Sequence, residues 1–331
     1  MSKSKLTAAL AAIAVGGGAG VATAAHPSFE AGDWTVTFDG NVNGFYSYAD
    51  CENPGSAAAV AGGLACVGND RSDVRTGLLP AKLGVAISRS MGGWDTKAYV
   101  SYWPGIDSQP SLAGGADGAL GTNSANFRQV YLSFGNDEVG TFKIGRDLGV
   151  FASEAILNDQ TLLGVGAVGI TAGGGRTSLG GIGTGYIYAD WKAQIQYMTP
   201  KVNGAQATFA IVDPWNATSI AGGPTAAVPQ SAVGGDGKAP GFEAELKYSW
   251  SGPVSGAVWT SGATQRVNGA LINSEQVFAG DIGAKVSMAG LTGVVYAYYG
   301  DGAGTTGFLT DGFSLNGNKR ESYGGYAQLS Y

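Results

Sequence analysis

"YIYADWKAQIQYM", Tyr186 to Met198, alternates with a period of two. Ile187, Ala189, Trp191, Ala193, Ile195 and Tyr197 are apolar or aromatic, and Asp190, Lys192, Gln194 and Gln196 fall between them. A half-buried strand of a soluble sandwich alternates in this way, and so does a strand that crosses a bilayer with one face in lipid and the other in a wet lumen. The length, about 9–11 residues, is that of a membrane-crossing strand. The pattern recurs. In "AQATFAIVD" (205–213), Ala207, Phe209 and Ile211 oppose Gln206 and Thr208, and in "GFEAELKYSW" (241–250), Phe242, Ala244, Leu246 and Tyr248 oppose Glu243, Glu245 and Lys247. The C-terminal "YGGYAQLSY" (323–331) sets Tyr323, Gly325, Ala327, Leu329 and Tyr331 on one face.

Composition decides between lipid and a soluble core. Charged residues are 13% of the chain and glycines number 57 of 331, whereas a soluble domain carries about 25% charge. A water-exposed surface needs more charge than this, so much of the surface faces something other than water. Beyond the N-terminal segment no run of about 18 consecutive apolar residues occurs, which argues against a helical span. Residues 1–25 have Lys3 and Lys5, a run of small and apolar residues, and Ala22-Thr23-Ala24 ahead of an expected cut near His26. That is the pattern of a secretory signal. Its removal leaves 26–331 as the mature domain and takes the net charge from −6 to −8, because two lysines leave with it.

The fold expected is all-β: an antiparallel transmembrane barrel with twelve strands counted. Short turns at 90–93, 136–138, 199–204, 251–254 and 288–291 are interleaved with long connections near 49–73, 105–124, 148–184, 214–240, 266–274 and 302–320. Short periplasmic turns and long external loops are the habit of such barrels. An open sheet edge in lipid would leave backbone groups unpaired, so first and last strands are expected to meet. Tyr331 would then end the strand that closes the cylinder beside "DWTVTFDGNVNGFYSY" (33–48). A barrel of this size leaves an aqueous path, whereas eight strands fill with side chains.

Catalysis lacks parts. The only histidine is His26, at the start of the mature chain, so no serine or cysteine nucleophile has an evident base. "GVGAVG" (164–169) matches a dinucleotide glycine pattern without the strand-loop-helix unit around it. No enzyme activity, cofactor, metal or nucleic-acid partner is expected. Cys51 and Cys66, the only cysteines, share the first long connection. In an exported chain they are expected to form a disulfide, a loop closure contributing about 3 kcal/mol, with two free thiols as the alternative.

"NFRQVYLSFGNDEVGTFKIGRDLGVF" (126–151) resembles the strand-turn-strand that precedes the constriction loop in the Gram-negative trimeric general-diffusion porins, with Arg128, Gly135, Val139-Gly140 and Gly145-Arg146 matching. "IQYMTPKVNGAQATFAI" (195–211) is similar to the strand, short Asn-Gly turn and strand that follow that loop. The likeness covers about 80–211 and the C-terminus. It implies sixteen strands rather than twelve, a loop over 148–185 folded into the barrel, a homotrimer in the outer membrane, and a C-terminal strand used as an insertion signal, where Phe is commoner than Tyr331.

The resemblance also implies a constriction of loop acids against wall bases. By position, Arg128 matches a wall arginine, Lys82 stands where the family has another, and Asp159 matches a loop carboxylate. The second loop acid falls at Leu163, with Glu154 as a loose substitute. Arg128 shares its parity with Val130, Leu132 and Phe134, so this carry-over requires Gln129, Tyr131 and Ser133 to point outward; the other reading makes Arg128 a strand-end anchor. Arg146 is a candidate to pair with Asp107 or Asp117 of its own or a neighbouring subunit, or to cap its own strand.

The function expected is passive diffusion of small hydrophilic solutes and ions across the outer membrane. A channel selective for a sugar or organic acid, and a structural barrel with binding loops, are the alternatives. Tyr46, Tyr48, Tyr296 and Tyr298 could serve either as a stacking track or as an interfacial girdle.

Overall fold

The computed structural model describes residues 26–50, 71–106, 125–166, 177–215, 217, 239–269, 272–314 and 316–331. The signal segment 1–25, Cys51, Cys66, Asp107 and Asp117 lie outside them. The first strands are β1 (Ser28–Ala31), β2 (Trp34–Asn41), β3 (Phe45–Ala49), β4 (Arg71–Arg75), β5 (Lys82–Met91) and β6 (Trp94–Pro104). Then come β7 (Ala125–Asn136), β8 (Gly140–Leu148), the one-turn helix α1 (Ser153–Leu157), β9 (Trp191–Met198) and β10 (Ala205–Val212). The chain finishes with β11 (Gly241–Trp250), β12 (Val254–Val267), β13 (Glu275–Met288), β14 (Leu291–Asp301) and β15 (Glu321–Ser330).

Among the described residues thirteen strands form one antiparallel sheet in the order β1-β2-β5 through β15, and β3 pairs β4 in a separate ribbon. The count exceeds twelve because β1, β3 and β4, of four or five residues each, are too short to display alternation. β1 and β15 are the two ends of the order, so the closing ladder expected at Tyr331 is not among the pairings of the described residues. Tyr331 follows β15 directly and is 91% exposed.

Every long strand has an apolar outer face. Phe209 and Ile211, Phe242 and Leu246, and Tyr323 and Leu329 are exposed, as their parity requires. The opening stretch departs from a single continuous strand. β9 begins only at Trp191, because Asp190 sits at φ +55° and breaks the alternation. Ala193 and Ile195 face outward, but Ile187 and Ala189 are wholly buried and Trp191 packs half-buried against the interior cluster, where a lipid-facing position was expected.

That interior cluster is one-sided. Phe151, Ala152, Ile156, Tyr186, Ile187 and Tyr188, from the connection between β8 and β9, pack on Trp259, Ala263, Val277, Ala279, Tyr296 and Tyr298 of β12 to β14. Phe308, Leu309 and Phe313, between β14 and β15, join them. Tyr296 and Tyr298 therefore point inward beneath the loop rather than into an interfacial girdle. The inner face of β5 to β8 is left to polar, charged and aromatic side chains.

Candidate functional site

The inner row of β6 reads Lys97, Tyr99, Ser101, Trp103. Lys97 stands opposite Ser88 and Ser133, Tyr99 opposite Ala86 and Tyr131, and Ser101 opposite Gly84 and Gln129. Above Ser101 the register with β7 shifts: Ser101 pairs Gln129, and Tyr102 pairs Phe127. Arg128 is the extra residue of this bulge, which leaves both Phe127 and Val130 on the exposed face and turns Arg128 inward, 7% exposed. The bulge removes the parity conflict. Gln129, Tyr131 and Ser133 do not need to point outward, and Gln129 donates through Nε2 to the inner Asp147 at 2.9 Å.

Cations and aromatic faces alternate along this wall. Arg128 lies 5.0 Å from the Trp103 ring and Lys82 5.5 Å from the same ring and 5.2 Å from Tyr99. Lys97 is 5.2 Å from Tyr99, and Lys143 is 5.2 Å from Tyr131. Lys82 also pairs Asp39 at 2.7 Å, and Asp39 accepts the Tyr99 hydroxyl at 2.8 Å. Gly84 permits that arrangement, since a Cβ there would meet the Tyr99 oxygen at 2.2 Å.

The inward loop is held by side chains of the opposite wall. Glu243 of β11 receives the backbone N–H groups of Val150 and Phe151 on Oε2, at 2.6 and 3.0 Å, and pairs with Lys192 through Oε1. Both side chains of that ion pair are 1% exposed. Ala152, at φ +61°, donates its N–H to Ser261 Oγ at 3.1 Å, and Ser261 in turn donates to Asp281, which also accepts the Tyr296 hydroxyl. From β15, Tyr326 donates to the Ala155 carbonyl at 2.8 Å and Gln328 donates to the Asn158 carbonyl. The tip bonds elsewhere: Leu78 and Leu79 donate to the carbonyls of Gly164 and Leu162 at 2.9 and 3.0 Å.

The two loop acids have different surroundings. Asp159 is 7% exposed and accepts from Thr161 N and Oγ1, Gly181 N and the Tyr186 hydroxyl, at 2.7–2.8 Å. It ties the end of α1 to the returning limb. Burial first, and then this carboxylate, push the Tyr186 phenol far above its ordinary pKa, so the group stays a donor. Glu154 meets Lys247 of β11 at 2.5 Å with 13% of its side chain exposed. Leu163, where the family's second acid would fall, is 68% exposed. The structure thus brings Lys82 and Arg128 together at Trp103, while Glu154 and Asp159 belong to the inward loop and are each engaged with partners of their own. Asp39, Trp103, Lys192, Glu243 and Ser261 were not singled out as site residues from the sequence. Lumen parity marked Lys192 and Glu243, but only the fold shows that they meet.

The model of a family described as Gram-negative porin matches residues 7–331. Among curated proteins no sequence matches the chain. Among solved structures, the outer membrane channel DcaP of Acinetobacter baumannii superposes with a TM-score of 0.60 at 13% identity, over 89% of this chain and 73% of that one. A Salmonella typhi OmpF complex with daunomycin gives a TM-score of 0.41 at 10% identity, over 83% and 81%. The trimer form of in-vitro folded OmpT of Vibrio cholerae gives 0.32 at 12% identity, over 90% and 97%.

Proposed function

The chain belongs to the Gram-negative porin family and is an outer-membrane channel, and from that premise we propose that it passes small hydrophilic solutes and ions by passive diffusion between the β5–β8 wall and the inward loop. The supporting observation is the one-sided interior. The apolar loop core covers β12 to β14, while Lys82, Lys97, Gln129, Lys143 and Asp147 line the opposite wall. Solvated polar side chains give an ion no reason to be excluded from that side. In this reading Lys82 and Arg128 supply the basic side of the path and the loop residues Glu154 and Asp159 the acidic side. Lys82 and Glu154 are each neutralised by a local partner and Asp159 is saturated by donors, so the transverse field is weak. Cation preference should then be smaller than the net charge of −6 implies.

Purified protein reconstituted in planar bilayers tests the reading. Stepwise ohmic conductance in potassium chloride, with a zero-current potential near zero in a salt gradient, is expected. Absence of conductance from correctly folded protein would overturn it. A homotrimer is part of the same proposal, and a monomeric mass in mild detergent would remove it.

A further inference from the structure

We propose that a chamber at the short-turn mouth of the lumen binds a small solute bearing a phosphate group, a reading that rests on the chain being a channel. The chamber has a volume of about 430 Å³ and lies between α1 and the ends of β9 to β13. Three lysines line it, Lys201, Lys247 and Lys285, and one acid, Glu154. Lys247 is engaged with Glu154 at 2.5 Å, while Lys201 and Lys285 have no ion pair or side-chain hydrogen bond among the described residues. In a chain of net charge −6 this is a local excess of positive charge.

The register shows how the groups converge. Gln206, Lys247, Trp259 and Gly283 form one row across β10 to β13, and Ser249, Ala257 and Lys285 form the next row toward the turns. With strands about 4.8 Å apart and a rise of about 3.4 Å per residue, the Lys247 and Lys285 backbones lie about 12 Å apart. Two long side chains reaching inward approach a common point from opposite sides.

Trp259 forms one side of the chamber. It is 2% exposed, and its Nε1 has no hydrogen-bond partner. The indole is held by Gly283, where a Cβ would come within 2.2 Å of its Cζ2.

The cations choose the class of anion. Three lysines against Glu154, with Glu245 beside that acid, leave the lining on the positive side, which favours an anion. Lysine acts on phosphate as a point charge without orientational demand, whereas a planar carboxylate is best met by the arginine fork, and no arginine lines the chamber. Trp250 offers an apolar surface to the rest of the solute.

The test uses the whole protein in planar bilayers with chloride current as the readout, adding inorganic phosphate to the short-turn side at constant ionic strength. Saturable reduction of the current is expected, with succinate much weaker. In Lys201→Gln/Lys285→Gln the half-blocking concentration should rise about tenfold or more. Lys201→Gln alone, on an exposed turn, provides a folded comparison if the double variant does not insert. Equal block by succinate and phosphate, or a half-blocking concentration unchanged in all variants, would overturn the site. Loss of chloride current in the unmodified protein would instead strike the channel reading.

Discussion

Single residues in this lumen are tuned by how many donors they already hold. Asp159 shares two oxygens among four donors, so Asp159→Asn replaces an acceptor-only group with one that carries its own N–H groups. Hydrogen bonds to a charged group contribute about 1.5–3 kcal/mol each, so the return limb of the loop should loosen. We expect noisier single-channel current and faster proteolysis near 181–186; unchanged noise and digestion would refute the tie. Arg128→Gln removes a wall cation and should move the zero-current potential toward cations, whereas a strand anchor would leave it unmoved. Buried Lys192 and Glu243 give a third test. Glu243→Gln leaves the ammonium without its partner, costing about 3–5 kcal/mol. Combining it with Lys192→Met should recover a good part of that loss in urea-induced unfolding, and strict additivity of the two changes would contradict the pairing.

At the level of elements, alternation predicts orientation wherever the backbone stays regular. Ile195, 55% exposed on β9, should cost about 2–4 kcal/mol as Ile195→Arg, because lipid cannot solvate the charge. Ser133→Arg, on the inner row of β7, should cost much less. Equal effects on refolding into lipid vesicles would reverse the faces. Gln194 is a poor lumen control despite its parity, since its amide is 4% exposed and donates to the carbonyls of Asp147 and Leu148. The strands and their faces were thus legible in the sequence, from Phe209 to Leu329. Two local events were not: the bulge at Arg128 and the left-handed Asp190. Each inserts or turns a single residue, leaves the flanking composition unchanged, and reverses which side chains meet the lumen. The anchors of the loop were illegible for another reason. Glu243 and Val150 are separated by 93 positions, and their contact arises only when β11 stands across from the end of β8.

For the whole molecule, the interior divides into a packed half and a polar half, so changes to the two should have different readouts. Widening the polar wall should alter conductance, and damaging the packed half should alter the seating of the loop. Deleting 321–331 removes Tyr326 and Gln328 from the carbonyls of Ala155 and Asn158. Such a chain is expected to leave α1 accessible to protease even if the remaining strands assemble; a protected loop would show that β15 is dispensable for docking. The donors and acceptors that receive the α1 limb, Glu243, Ser261, Tyr326 and Gln328, all follow it in the chain. That order has a consequence for biogenesis. Strands made early have no partner to offer the limb, so it can take its final place only after the C-terminal strands have arrived. The docked loop therefore reports completion of the wall behind it, and time-resolved protection of residues 150–158 should lag behind that of β5 to β8.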